Sequence, residues 1–127
     1  MMTETPAHPG LISLQGIGKR YQLAGQELTI LNDVCLSIAR GDSCGILGAS
    51  GSGKSTLLNI LGLLDVPDAG EYWLGGEATA ALDERRRAEL RSRHIGFVFQ
   101  SYHLIPRLNV LENIELPMLL AGIDPAE

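Results

Sequence analysis

The chain has 127 residues, 45% of them hydrophobic, with a formal net charge of −5 and a pI near 5.1. That balance excludes a nucleic-acid footprint, which needs clustered Lys and Arg: the only lysines are Lys19 and Lys54, and the run Arg85-Arg86-Arg87 is diluted by Asp83, Glu84 and Glu89. No stretch stays apolar for the ~18 residues a membrane-spanning helix requires, and the first residues lack the charged and apolar regions of a secretory signal, so a cytoplasmic address is expected.

In chain order, residues 1–10, with Pro6 and Pro9, read as a disordered leader, and 11–127 as one folded portion. Leu11–Ile17 is expected as a strand, with a turn at Gly18 before Lys19-Arg20-Tyr21. A short polar loop spans Leu23–Glu27, and Leu28–Ile38, rich in β-formers (Ile30, Val34, Ile38), is a second strand closed by Arg40-Gly41-Asp42. Ser43–Leu47 is a short apolar run of the kind that forms a buried parallel strand. Cys35 and Cys44 lie in these runs without a C-x-x-C arrangement, so they are expected as buried, inert thiols and not as metal ligands.

From Lys54 the pattern turns helical. Leu57, Leu58, Ile60, Leu61 and Leu64 cover more than one face, which predicts a helix buried all round, ended by Gly62, Asp65 and Pro67. Glu71–Leu74 reads as a short strand and Gly75-Gly76 as a turn. Asp83–His94 is a charged helix with its arginines on a solvated face, and Ile95–Phe99 is an apolar strand running into Gln100. After a loop over 101–108, Asn109 and Glu112 stand three residues apart as a helix cap. The helix they open carries Val110, Leu111 and Ile114 on one side and a kink at Pro117. Strands alternating with helices predict an α/β fold with a mainly parallel sheet.

The chemistry concentrates at Gly48-Ala49-Ser50-Gly51-Ser52-Gly53-Lys54-Ser55, which fits G-x-x-x-x-G-K-[ST]. Glycines at 48, 51 and 53 let the backbone curl so that successive N–H groups point into one concavity. The helix starting at Lys54 adds the positive end of its dipole there. Lys54 supplies a cation for the β- and γ-phosphates, and the Ser55 hydroxyl is placed to bind Mg²⁺. A chance match in a chain this long is on the order of one in a few hundred, and an apolar run before it and an apolar helix after it strengthen the reading. ATP with Mg²⁺ is the expected ligand.

Many nucleotide proteins share such a loop. Here Gly48–Asp65 (GASGSGKSTLLNILGLLD) together with Ile95–Gly122 (IGFVFQSYHLIPRLNVLENIELPMLLAG) closely resembles the ATP-binding subunits of ABC transporters, within them the lipoprotein-release and macrolide-exporter branch. The resemblance covers nearly all of 11–122 and implies a P-loop NTPase core of the RecA-like kind, preceded by an antiparallel β portion. It implies that Tyr21 stacks on adenine, a ring-face contact for which Tyr21→Phe should be neutral. Ser50 is implied to reach the γ-phosphate and Thr56 the α-phosphate side. Gln100 matches the glutamine that touches Mg²⁺ and the attacking water, so Lys54 and Gln100 are the candidate catalytic residues. Leu104, Ile105 and Leu108 fall where the family grips a coupling helix. The implied partners are a transmembrane permease and a second ATP-binding subunit, and the implied location is the inner face of the cell membrane. His94 and His103 have no partner at metal spacing, and neither receives a role.

The 127 residues contain no LSGGQ-type motif, no apolar strand ending in Asp-Glu and no switch histidine. The resemblance is therefore to the N-terminal half of a cassette, and the chain reads as an incomplete piece. Without the carboxylate that polarises water, turnover by this chain alone is not expected. A P-loop small-molecule kinase is the alternative within enzymes, although such enzymes place the loop on the first strand. A GTPase is disfavoured, because the sole D-x-x-G, Asp42–Gly45, precedes the loop and no N-K-x-D follows. A non-catalytic nucleotide-binding module is the alternative of another class.

Overall fold

The computed structural model describes residues 10–124, so the leader expected over 1–10 lies outside the described residues except for Gly10. The chain forms two compact units, one ending at Arg87 and the other beginning at Ala88.

The first unit is built on strands β1 (Ile12–Leu23), β2 (Gln26–Ile38), β3 (Ala69–Leu74) and β4 (Glu77–Ala78), with helix α1 (Lys54–Leu61) between β2 and β3. The strands lie in the order β2-β1-β3-β4, every neighbouring pair antiparallel. Only Ala24 and Gly25 separate β1 from β2, at φ 49° and 80°. Such a mirror-image turn matches the right-handed twist of the flanking strands. The hairpin is thus longer than the sequence implies: the loop over Leu23–Glu27 shrinks to two residues, and β1 does not stop at Gly18. Register shifts between Leu14 and Ile17 and on to Arg20 absorb the glycines as irregularities within the strand.

Leu14 and Ile17 of β1, Leu31 of β2, Tyr72 and Leu74 of β3, and Ile60 and Leu63 at the end of α1 are the buried apolar core. Leu14 sits opposite Tyr72 and Ile12 opposite Leu74 across the β1–β3 ladder. The Tyr72 hydroxyl donates to the Leu61 carbonyl at 2.7 Å, tying β3 to the end of α1, and burial pushes that phenol's pKa well up.

Further expectations are corrected, the first being the mainly parallel sheet, since every strand pair among the described residues is antiparallel. Helix α1 packs on β2 and buries only Ile60, while Leu58 and Leu64 stay about half exposed, because the sheet covers one side of it. Ser43–Leu47 forms no strand, and Leu47 is 95% exposed. Cys35 and Cys44 are exposed, not buried. The arginine run is not simply a solvated face: Arg87 is buried, donating to the Leu63 carbonyl at 3.0 Å and pairing with Glu84 at 2.9 Å, and Arg86 pairs with Glu77.

Helix α2 (Glu84–His94) begins in the first unit and ends in the second. Beyond it, Ile95–Phe99 is without strand structure, contrary to expectation, with Val98 fully exposed and the Phe97 and Phe99 rings stacked 5.5 Å apart. Helix α3 (Val110–Leu120) starts as the sequence indicates. The Asn109 side chain accepts from the Glu112 N–H at 2.9 Å, and Glu112 accepts from the Asn109 N–H at 2.8 Å. Pro117 lies within the helix. Asn113, unremarked in the sequence, accepts from the Ile105 N–H and donates to the Leu108 and Asn109 carbonyls, which folds the preceding loop onto the helix start.

Candidate functional site

The phosphate loop closes between Gly48 and the first turn of α1. Ser52 N–H donates to the Ala49 carbonyl at 3.1 Å, and Gly53 caps the helix in the left-handed region at φ 96°. A side chain is disfavoured at Gly53 by conformation and crowded at Gly48 by a neighbouring hydroxyl. At Gly53 the conformation disfavours a Cβ, which would also sit 3.1 Å from the Ile30 carbonyl. At Gly48 a Cβ would come within 2.5 Å of Ser52 Oγ. No side chain caps α1, so the N–H groups of its first turn remain directed at the loop's concavity, where an anion is favoured.

Lys54 reaches back over the loop and donates to the Gly48 carbonyl, which holds its ammonium at the mouth of the cradle. Ser55 is exposed on the first turn and Thr56 half-buried beside it. Ala49, Ser50 and Ser52 are exposed loop residues. The donor set is therefore backbone N–H groups, one ammonium and hydroxyls, which suits a polyphosphate.

Tyr21 stands near the end of β1, 41% exposed. Its hydroxyl donates to Asp65 Oδ2 at 3.1 Å, and the Lys19 ammonium lies over its ring, 5.4 Å from the centroid. Asp65 Oδ1 accepts from Lys19 at 3.1 Å and from the Val66 N–H at 2.8 Å. Desolvation pushes the Asp65 pKa up, but the hydrogen bonds from Lys19, Val66 and Tyr21 and the Lys19 charge outweigh it and hold the carboxyl below its ordinary value. Nothing in the spacing of Lys19, Tyr21 and Asp65 announces this cluster, because β1 and the segment after α1 meet only in three dimensions.

A cavity of about 680 Å³ opens beside the β1–β2 hairpin, lined among others by Arg20, Tyr21, Gln22, Glu27 and Thr29. None of residues 48–56 lines it. Gln100 belongs to the second unit, exposed at a bend after Phe99. The fold gathers Gly48 to Thr56 into one loop and helix start within the unit that also carries Tyr21, and leaves Gln100 in the other unit.

Residues 31–126 match the family model described as ABC transporter. The chain is 51% identical over 117 residues to the macrolide export ATP-binding/permease protein MacB 2 of Aeromonas hydrophila, covering 92% of this chain and 18% of that protein. Among solved structures, the dimeric MJ0796 cassette superposes with a TM-score of 0.82 at 43% identity, over 86% of this chain and 47% of that one. Its post-hydrolysis form, bound to ADP and Pi, superposes with a TM-score of 0.81 at 42% identity, again over 86% and 47%. The chain thus spans under a fifth of the length of the exporter relative and about half of each solved cassette.

Proposed function

The chain belongs to the ABC transporter family, and from that premise we propose that it is the nucleotide-binding half of a cassette that binds MgATP and energises export. The family match and the fold make it a P-loop NTPase of the ABC ATPase kind, which removes the kinase and GTPase alternatives. The observation that carries the proposal is the start of α1, without a side-chain cap, behind a loop whose Gly53 is held in the left-handed region, with Lys54 folded over it.

In this reading the N–H groups from Gly48 to Thr56 hold the phosphate chain. Lys54 neutralises the β- and γ-phosphates, Ser50 reaches the γ-phosphate, and Ala49, Ser52 and the three loop glycines shape the cradle. Among the described residues no group of three His, Cys, Asp or Glu side chains could hold a metal. Mg²⁺ would be held by phosphate oxygens with the Ser55 hydroxyl, and would neutralise charge on the phosphoryl group. Tyr21 offers a ring face to adenine. Hydrolysis belongs to the complete cassette, where a second copy and a permease are the partners. Among the described residues no helix is long and apolar enough to cross a membrane, and attachment to the inner face of the cell membrane would come through the permease. The branch resemblance and the names of the exporter relatives favour a macrolide-like or lipoprotein-like cargo.

Titrating the chain with MgATP in a calorimeter tests the core of this. Lys54→Ala removes a charge-assisted contact worth about 1.5–3 kcal/mol, so affinity should fall on the order of tenfold or more. Unchanged affinity would overturn the role of Lys54.

A further inference from the structure

We propose that Asp65, acting with Lys19, is the positioning residue for Tyr21, so that the far end of the phosphate-loop helix sets the face the ring presents to the base. This rests on the reading of Tyr21 as the adenine platform and adds what holds that platform still.

A tyrosine 41% exposed near a strand end has little packing to fix its two side-chain torsions. Here its hydroxyl is anchored on Asp65 Oδ2 at 3.1 Å, and the Lys19 ammonium covers one ring face. The opposite face is the one left for a base. Lys19 is itself only 8% exposed, a state lysine adopts almost solely when paired. It donates to Asp65 Oδ1 at 3.1 Å and to the Val66 carbonyl at 2.8 Å, and lies 3.8 Å from Asp68. Asp68 then accepts from the Arg20 N–H at 2.7 Å, while its own N–H donates to the Gly18 carbonyl at 2.9 Å. Residues 65–68 are thereby stitched to residues 18–21 of β1.

The other end of the same helix is seated on the partner strand. A Cβ at Gly53 would meet Ile30 Cγ2 at 3.1 Å and Leu31 Cδ2 at 3.2 Å, and Leu31 is the β2 residue opposite Lys19. Helix α1, eight residues and so about 12 Å long, therefore bears the phosphate cradle at its start and, four residues past its end, the anchor of Tyr21. The hydroxyl, which stacking by itself does not use, becomes relevant, and Tyr21→Phe ceases to be neutral.

The test separates base from phosphate. ATP and inorganic tripolyphosphate, which has no base for Tyr21 to meet, are titrated into the chain and into Asp65→Ala, Asp65→Asn, Tyr21→Phe and Tyr21→Ala. Asp65→Ala should weaken ATP about three- to tenfold and leave tripolyphosphate unchanged. Asp65→Asn, which keeps one acceptor, should restore part of the loss. Tyr21→Phe should match Asp65→Ala, and the two combined should lose no more than either alone. A Tyr21→Phe variant that binds ATP like the parent chain would overturn the proposal, as would an Asp65→Ala variant that loses ATP and tripolyphosphate alike. If Tyr21→Ala has no effect on ATP, the platform reading itself fails, and that result is distinct from a failure confined to Asp65.

Discussion

Leu14 and Val98 sit in segments that read almost alike, each an apolar β-forming run beside a glycine, yet Leu14 is 2% exposed and Val98 103%. Leu14 lies in β1, hydrogen-bonded on both sides, opposite Leu36 of β2 and Tyr72 of β3. Val98 lies in a run without strand structure. An apolar run becomes a buried strand only when a neighbouring strand satisfies its peptide groups and a layer covers its face. Of the two strands that flank β1, β2 follows through a two-residue turn, whereas β3 arrives only after α1. Ser43–Leu47 and Ile95–Phe99 have no such neighbour among the described residues, and Leu47 and Val98 stand in water.

The largest effect that could break this contrast is a pair of truncations. Leu14→Ala should cost about 2–5 kcal/mol, because it opens a cavity in the core, whereas Val98→Ala should stay within about 0.5 kcal/mol. Denaturant melts of both variants measure it, and equal losses would mean that Val98 is buried after all.

A smaller effect sharpens what locks the sheet to α1. Asp65→Asn should cost about 1–2 kcal/mol through weakened charge-assisted hydrogen bonds. Because the folded carboxyl titrates below its ordinary value of 3.8, its contribution is complete above about pH 4 and is lost as pH falls through the lower folded value. The groups facing it are Lys19 and Tyr21, with Asp68 beyond Lys19. The difference in melting temperature between the chain and Asp65→Asn should therefore be flat from pH 5 to 8 and shrink below pH 4. A difference that grew on acidification would contradict the ion pair.

The smallest effect concerns a segment that needs no distant partner. Asn109→Ala removes both the cap and its reciprocal bond with Glu112, at a cost of about 1 kcal/mol to α3. Amide exchange in the first turn of α3 should speed up accordingly while Leu14 and Ile17 of β1 stay protected. Faster exchange in β1 as well would show that the two units unfold together.

Sequence reading succeeded where the determining contacts lie within a few residues. The Gly48–Ser55 spacing, the Asn109–Glu112 cap and the Gly75-Gly76 turn are local backbone problems, and each stands where the residues placed it. It went astray where a distant element had to arrive. The arginine run reads as solvated because Leu63, whose carbonyl takes up Arg87, is 24 residues away. Cys35 reads as buried because β2 is apolar in composition, but the residue falls on the exposed side of the strand at the edge of the sheet.

By itself, then, the sequence determined the phosphate loop, the helix behind it and the caps, because glycine conformation, dipole direction and side-chain capping act over a single turn of chain. Only the tertiary structure decided which apolar runs become strands, which arginine is buried and how Tyr21 is held. Those outcomes depend on hydrogen-bond partners and covering layers far along the chain, such as Cys35 for the Gly16 amide and Asp68 for the Arg20 amide, and residue spacing along the chain carries no record of which distant group will be there.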